Sequence, residues 1–208
     1  MNYKENLRKT YNRIAEDWNQ DHAKDDWWIG GTNKFVDLVG KGSTVLDIGC
    51  GSGIKSKFLA EKGLKVVGID LSEKLIDIAK EAAPSCCFYV MDMQKIKFQE
   101  KFDGIFAQAC LLHVPKKEAA ETVKQWSNIL KPGGYFYIAV KENKKVEEEI
   151  VEEEDYGYHY ERFFSYYTKE EVEKYLKRAG LKIVFSKVVF SGRNNWIQVI
   201  AQKIKESK

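Results

Sequence analysis

No stretch of this 208-residue chain is both long and apolar. Nothing approaches the roughly 18 uncharged residues that a membrane-spanning helix needs, and the opening Met1-Asn2-Tyr3-Lys4-Glu5 is polar, unlike a secretory leader. A cytoplasmic protein with no membrane segment is the expectation. Proline is scarce, at three residues, and neither an internal repeat nor a low-complexity tract is present, so disorder is expected only at the ends. The four cysteines contain no Cys-x-x-Cys pair and have no partnering histidine cluster, which removes the common zinc and redox patterns and leaves reduced thiols as the simplest state. One-sided charge is missing too. The net charge is +3, and lysines alternate with acids instead of forming a basic run, a weaker footprint than nucleic-acid binders carry. The one uneven segment is acidic: between 142 and 155, eight acids stand against Lys144 and Lys145, a local balance of −6 that leaves +9 for the remainder.

What the chain does contain is a regular alternation of helix-like and strand-like segments. Leu7, Tyr11, Ile14 and Trp18 fall on one helical face. A polar loop with Trp27 and Trp28 follows, and Thr32 suits an N-cap for a short helix carrying Phe35, Leu38 and Val39. Strands are expected over 45–48, 65–70, 86–91, 102–108 and 135–140. Ser72 is placed to cap a helix that runs to about 82, and a further helix over 116–130 should stop at Lys131-Pro132-Gly133-Gly134. Thr168 and Glu171 then form a capping box before a helix ending at Gly180, and β runs at 181–190 and 196–202 are joined by Ser191-Gly192-Arg193-Asn194-Asn195, a hairpin-length turn. Such a pattern predicts one α/β domain over 1–208: a mostly parallel sheet between helical layers, with an antiparallel hairpin at one edge.

The most informative stretch is Val45-Leu46-Asp47-Ile48-Gly49-Cys50-Gly51-Ser52-Gly53-Ile54. An apolar strand runs into glycines at alternate positions, which permit positive φ and a close approach of backbone to a ligand. The dinucleotide fingerprint requires Gly-x-Gly-x-x-Gly, and Ile54 stands where its last glycine would be, so the spacing disfavours NAD. Asp47, Gly49, Gly51 and Gly53 instead make Asp-x-Gly-x-Gly-x-Gly, which resembles the first motif of the class I S-adenosylmethionine (SAM) dependent methyltransferases. The later pieces follow in order, and the resemblance covers most of 1–203. It implies a Rossmann-like three-layer sandwich whose seven-stranded sheet has the order 3-2-1-4-5-7-6.

The resemblance also implies roles. Asp70 closes the second strand about twenty residues beyond the glycine loop, where an acid accepts from both ribose hydroxyls; the plainer reading is a turn acid facing solvent. Leu71 would lie on the adenine face. Asp92, with Met93 beside it, follows the third strand, where relatives receive the adenine amino group, or is a simple turn residue. Asp47 needs a partner to be buried, from loop amides or through water from the ammonium of SAM. Gln108 borders the methionyl chain, Cys50 is a small packing residue in the loop, and Tyr11 resembles a tyrosine folded onto the SAM carboxylate, with a core aromatic as the alternative.

Methyl transfer from a sulfonium disperses charge, so alignment and exclusion of water suffice, and a base is needed only for a protonated acceptor. His113, after the fourth strand, is the candidate base, or else fixes the loop before Pro115. The N-terminal segment 1–40 and the acidic, aromatic segment 142–167 would form a lid, with Trp27, Trp28, Tyr158 and Arg162 lining an acceptor pocket or simply packing. The acidic run reads as a solvated face, or as a field steering a cationic acceptor. No Asn/Asp-Pro-Pro-aromatic tetrapeptide and no Pro-Cys pair occur, which argues against amino methylation of DNA bases or glutamine and against cytosine-type chemistry. The expectation is a methyltransferase acting on a small molecule and yielding S-adenosylhomocysteine, with an RNA or protein methyltransferase and a non-catalytic SAM-binding protein as alternatives.

Overall fold

The apolar runs pair as the alternation requires. In a computed structural model, which describes residues 3–142, 145–192 and 194–205, β1 (Thr44–Ile48) lies parallel between β2 (Lys65–Asp70) and β4 (Phe102–Gln108). Outside them β3 (Cys87–Val90) and β5 (Leu130–Lys141) continue the parallel sheet. The hairpin of β8 (Leu181–Ser191) and β9 (Asn194–Lys203) adds antiparallel to β5, which gives the order β3-β2-β1-β4-β5-β9-β8. With the hairpin strands counted sixth and seventh in the sheet, this is the expected topology. Arg193 of the hairpin turn and Lys144 of the acidic segment lie outside the described residues.

Strand alternation splits the core in two. Val45, Val66, Phe106 and Tyr137 pack under α2 (Ile29–Val39) and α3 (Ile54–Glu61), while Leu46, Ile69, Ile105 and Ile138 pack against α5 (Lys116–Asn128) and α6 (Lys169–Arg178). Trp126 on α5 is fully buried and its indole N–H donates to the Met93 carbonyl, so the largest core side chain also satisfies its one polar atom. The expected box caps α6: Thr168 accepts from the Glu171 N–H while the Glu171 carboxylate accepts from the Thr168 N–H. Among the described residues no helix is long and apolar enough to cross a membrane.

Two local expectations are corrected. Thr32 is not the cap of α2: Trp28 holds that position, and Thr32 is buried inside the helix with its hydroxyl donating back to the Trp28 carbonyl, which satisfies it in an apolar setting. The Lys131-Pro132-Gly133-Gly134 turn is absorbed into β5, where Gly133 takes φ +82° and the β4–β5 register slips between Phe102 and Gly104. The acidic run is a solvated face, with six of its eight carboxylates exposed, and it also forms a strand. β6 (Glu148–Glu153) pairs antiparallel with β7 (Tyr160–Ser165) in a separate two-stranded sheet, and its acids find partners, Glu153 on Arg162 and Glu149 on the Tyr166 hydroxyl.

α1 (Tyr3–His22) covers neither sheet face; it crosses the carboxyl ends of the strands, between α4 (Glu73–Ala82) and β7. Glu73 of α4 takes the Arg8 guanidinium and the Asn12 amide of α1, and the Ser72 hydroxyl accepts from the Leu75 N–H, capping α4, while donating to Asn12 at 2.6 Å. Ser72→Ala is therefore expected to cost about 1 kcal/mol of global stability from the lost cap. It should also speed protease cleavage within α1, and chemical denaturation together with limited proteolysis checks both effects.

Candidate active site

Ligands in open α/β sheets sit where the strand order reverses, here between the carboxyl ends of β1 and β4. The glycine loop is folded over that gap by its own amides: Gly49 and Cys50 N–H groups both donate to the Ile69 carbonyl, at 2.8 and 3.0 Å. Gly49 has φ +68°, and a Cβ there would lie 2.4 Å from that of Cys110, so both conformation and space demand glycine. Asp70 completes the loop, its carboxylate accepting from the N–H groups of Gly51 (3.0 Å) and Ser72 (2.9 Å). Burial raises its pKa above the ordinary carboxylate value in spite of those bonds.

Two adjoining cavities open beside the loop. The smaller, about 100 Å³, is lined by Gly49, Gly51, Asp70, Leu71, Asp92 and Met93 among the expected cofactor residues. The larger, about 610 Å³, is lined by Asp47, Cys50, Gln108, Trp27 and Arg162. Tyr11 and His113 line both. Three expected residues line neither. Gly53, with φ +80°, begins α3 against Ala79. Trp28 turns its ring edge-on to Phe58 and donates to the Asp25 carbonyl, and Tyr158 is held by Asp17 at 2.6 Å under the Arg13 guanidinium.

The polar groups of the larger cavity are unevenly satisfied. Asp47 accepts from the Ser56 hydroxyl at 2.6 Å, yet burial pushes its pKa up to about 7. Gln108 Oε1 and Ser52 Oγ are buried without a hydrogen-bond partner, an acceptor and a hydroxyl that a ligand in this cavity would satisfy. Ala109, just beyond Gln108, takes φ +55°, an uncommon conformation for a residue with a Cβ and of the kind that clusters at ligand sites.

His113 is a junction. Its Nδ1 lies 2.7 Å from the Phe163 carbonyl, which can only accept, so Nδ1 carries the proton and Nε2 accepts from the Tyr11 hydroxyl, also at 2.7 Å. Burial, with help from the charges of Arg162 and Lys141, lowers its pKa to about 3. It therefore stays neutral, with both nitrogens engaged. Arg162 is gripped by Glu153 through two bonds of 2.6 Å and lies over the Phe164 ring.

Sequence reading passed over Lys4, Trp18, Lys55, Lys141 and Trp196. Lys4 pairs with Asp92 at 2.8 Å, and Trp18 lies over Gly51. The signal for both was the seven-residue spacing of Lys4, Tyr11 and Trp18, which puts all three on the helix face that meets the cavities. Lys141 and Trp196 are register partners on β5 and β9, a pairing that only the completed sheet reveals.

Comparison with known proteins agrees with this layout. A family model described as "Methyltransferase domain" matches residues 45–134. The chain is similar to the ubiquinone biosynthesis O-methyltransferase of Coxiella burnetii, 32% identical over 161 residues, and spans 64% of that protein's length with 68% of its own. It is 31% identical over 169 residues to the enzyme of the same name from Aromatoleum aromaticum, covering 68% of that protein with 74% of itself. Among solved structures it resembles a SAM-dependent methyltransferase from Methanosarcina mazei, with a TM-score of 0.72 at 26% identity, over 82% of this chain and 96% of that one. Sequence, strand order and glycine loop converge, and the chain belongs to the class I SAM-dependent methyltransferases.

Proposed function

We propose that this chain transfers a methyl group from SAM to a small-molecule acceptor, with S-adenosylhomocysteine as the other product. The carrying observation is the pair of joined cavities at the strand-order reversal, one walled by Asp70 and Asp92, the other by the unpartnered Gln108 Oε1 and Ser52 Oγ. In this reading Asp70 takes the ribose hydroxyls, Leu71, Asp92 and Met93 surround the adenine, and Asp47, Ser52 and Gln108 face the methionyl part. Gly49, Cys50, Gly51 and Gly53 shape the loop beneath. When bound, SAM supplies a methyl carbon on a sulfonium, open to in-line displacement.

The chain's own contribution is alignment and dryness. α1, within 1–40, and the β6–β7 hairpin, within 142–167, act as the lid, and Tyr11 donating to His113 joins them at the cavity boundary. His113 is a positioning residue here, since its lone pair is already taken by Tyr11. Trp27 and Arg162 face the acceptor, while Trp28 and Tyr158 brace the lid from behind. A roofed cavity supports a small acceptor over RNA or protein, as do relatives named for ubiquinone biosynthesis. We place the protein in the cytoplasm, where its four thiols stay reduced.

Three measurements check this reading. Titration calorimetry should show SAM binding and no NAD binding, and Asp70→Ala should weaken SAM by about 1.5–3 kcal/mol, the scale of hydrogen bonds to a charged group; unchanged affinity in a folded variant removes Asp70 from the site. A ligand cation beside Asp47 lowers its pKa from about 7, so SAM binding near pH 7 should release part of a proton, and Asp47→Asn should abolish that release. Calorimetry in two buffers of different ionisation enthalpy reads it directly.

The third concerns His113. Its pKa is near 3 when folded and near 6.5 when unfolded, so below about pH 6.5 the unfolded chain binds a proton that the native imidazole refuses. Stability should fall as pH drops from 6.5 toward 3, and His113→Asn should lose less over that range. The same variant should leave the shape of the pH–rate profile unchanged, whereas loss of an ionisation from that profile would mark His113 as the base.

A further inference from the structure

The amino-acid end of SAM carries an ammonium and a carboxylate, and the sulfonium beside it is a second cation. Among the described residues the larger cavity is lined by five carboxylates, Asp25 and Asp47 among them, against the cations of Lys55, Lys141 and Arg162. That excess of acid suits the two cationic groups of SAM and leaves its carboxylate as the one that needs a particular partner. A carboxylate only accepts hydrogen bonds, so the partner has to donate. The Tyr11 hydroxyl does not qualify, because its proton is committed to His113 Nε2 at 2.7 Å.

The donors of the cavity sort by position. Arg162 has both arms of its fork on Glu153, at 2.6 Å each, and Lys141 sits against the rings of Phe164 and Trp196, in the wall made by β5, β7 and β9. Lys55 lies two residues beyond Gly53, on the loop side, where Asp47 and Ser52 also line the chamber. Its ammonium lies 5.5 Å from the centre of the Trp28 ring and forms no ion pair among the described residues, since Asp25 and Asp47 act on it only through their fields.

Two local rules disfavour a lysine there. Lys55 stands in the first turn of α3, at the positive end of the helix dipole, in a turn that holds no acid. Burial also works against its charge and lowers its pKa. α3 begins at Gly53 without a side-chain cap, and the buried Ser52 hydroxyl beside it has no hydrogen-bond partner. An ammonium, an uncapped helix start and an idle hydroxyl thus converge on one side of the cavity, and a single anion satisfies all of them. The acceptors fall elsewhere, Asp47 on β1 and Gln108 Oε1 at the end of β4.

We infer that Lys55, with Ser52, takes the carboxylate of the methionyl group while Asp47 and Gln108 take its ammonium, so that the chain selects S-adenosyl amino acids over adenosine thioethers that lack the acid group. This rests on the methyltransferase reading above. Lys55 takes no part in the displacement. It fixes the far end of the donor, which delivers the sulfonium to the seam where Tyr11, Trp18 and His113 line both cavities.

Titration calorimetry tests this with S-adenosylhomocysteine, its decarboxylated analogue, which keeps the ammonium, and methylthioadenosine, which lacks both groups. Wild-type protein should bind S-adenosylhomocysteine about tenfold or more tighter than the decarboxylated analogue, the scale of hydrogen bonds between charged groups. Lys55→Met should remove most of that preference and leave methylthioadenosine binding unchanged, and Lys55→Arg should keep the preference. In lysine-labelled NMR spectra of the wild-type protein, the pKa of Lys55 should rise when S-adenosylhomocysteine binds, because an anion stabilises the charged amine, and should not rise with the decarboxylated analogue. A preference that survives Lys55→Met, a matching loss of methylthioadenosine binding, or a Lys55 pKa that does not rise each overturns the proposal. Failure of the wild-type protein to bind any of the three defeats the methyltransferase reading itself, whereas binding with no carboxylate preference defeats only the role of Lys55.

Discussion

The site depends on how the end of β2 holds the loop after β1. One carbonyl, that of Ile69, receives two successive loop amides, and the neighbouring carboxylate, that of Asp70, receives a third from Gly51. These bonds bend the chain through a path that only glycine follows at Gly49, and they set the floor of both cavities. Asp70 has two tasks in consequence. It shapes the loop through backbone amides, and it presents a buried carboxylate to the smaller cavity. A carboxylate held by amide dipoles instead of a cation keeps acceptor capacity for a neutral hydroxyl donor, which a strong ion pair would consume.

Closure of the site is a second layer built on that floor. α1 reaches it through Lys4 on Asp92, Asn12 on Ser72, and Tyr11 on His113, while β7 reaches the same histidine through the Phe163 carbonyl. A buried imidazole is expensive to ionise, and here that expense is useful. In its neutral form with Nδ1 protonated, His113 accepts on one side and donates on the other, so three separate elements meet on a single small ring. Protonation would reverse the bond with Tyr11, making the hydroxyl the acceptor, and burial beside Arg162 and Lys141 makes that event rare at neutral pH.

The features legible in the sequence were those governed by backbone constraint. The glycine spacing at 49, 51 and 53, the cap at Ser72, the box at Thr168 and Glu171, and the strand bearing Asp70 all follow from local rules of conformation and capping, and the structure shows each in place. Segment 142–167 was harder. Glu-Glu-Ile-Val-Glu-Glu lacks both helical and alternating periodicity, and β6 exists because β7 supplies Arg162 and main-chain partners across the hairpin. Thr32 failed for the opposite reason, since a good local cap residue was overruled by burial beneath the sheet. Trp28 and Tyr158 were picked for being aromatic in the right segments, and side-chain type alone does not say which way a ring points.

The two cavities differ in the same way. The smaller is walled by short runs, 69–72 and 91–94, at the ends of β2 and β3, together with one helix face, so its chemistry is written locally. One wall of the larger cavity is assembled from Trp27, Lys141, Phe164 and Trp196, which lie on the loop before α2 and on β5, β7 and β9 and meet only after β9 has paired with β5 and the hairpin has folded down. None of these side chains is required by a backbone conformation, so each is free to vary while the glycine loop stays as it is. The loop that marks the family is therefore carried by glycines and acids at fixed spacing, whereas the lining of the larger cavity depends on where a few rings and charged side chains come together.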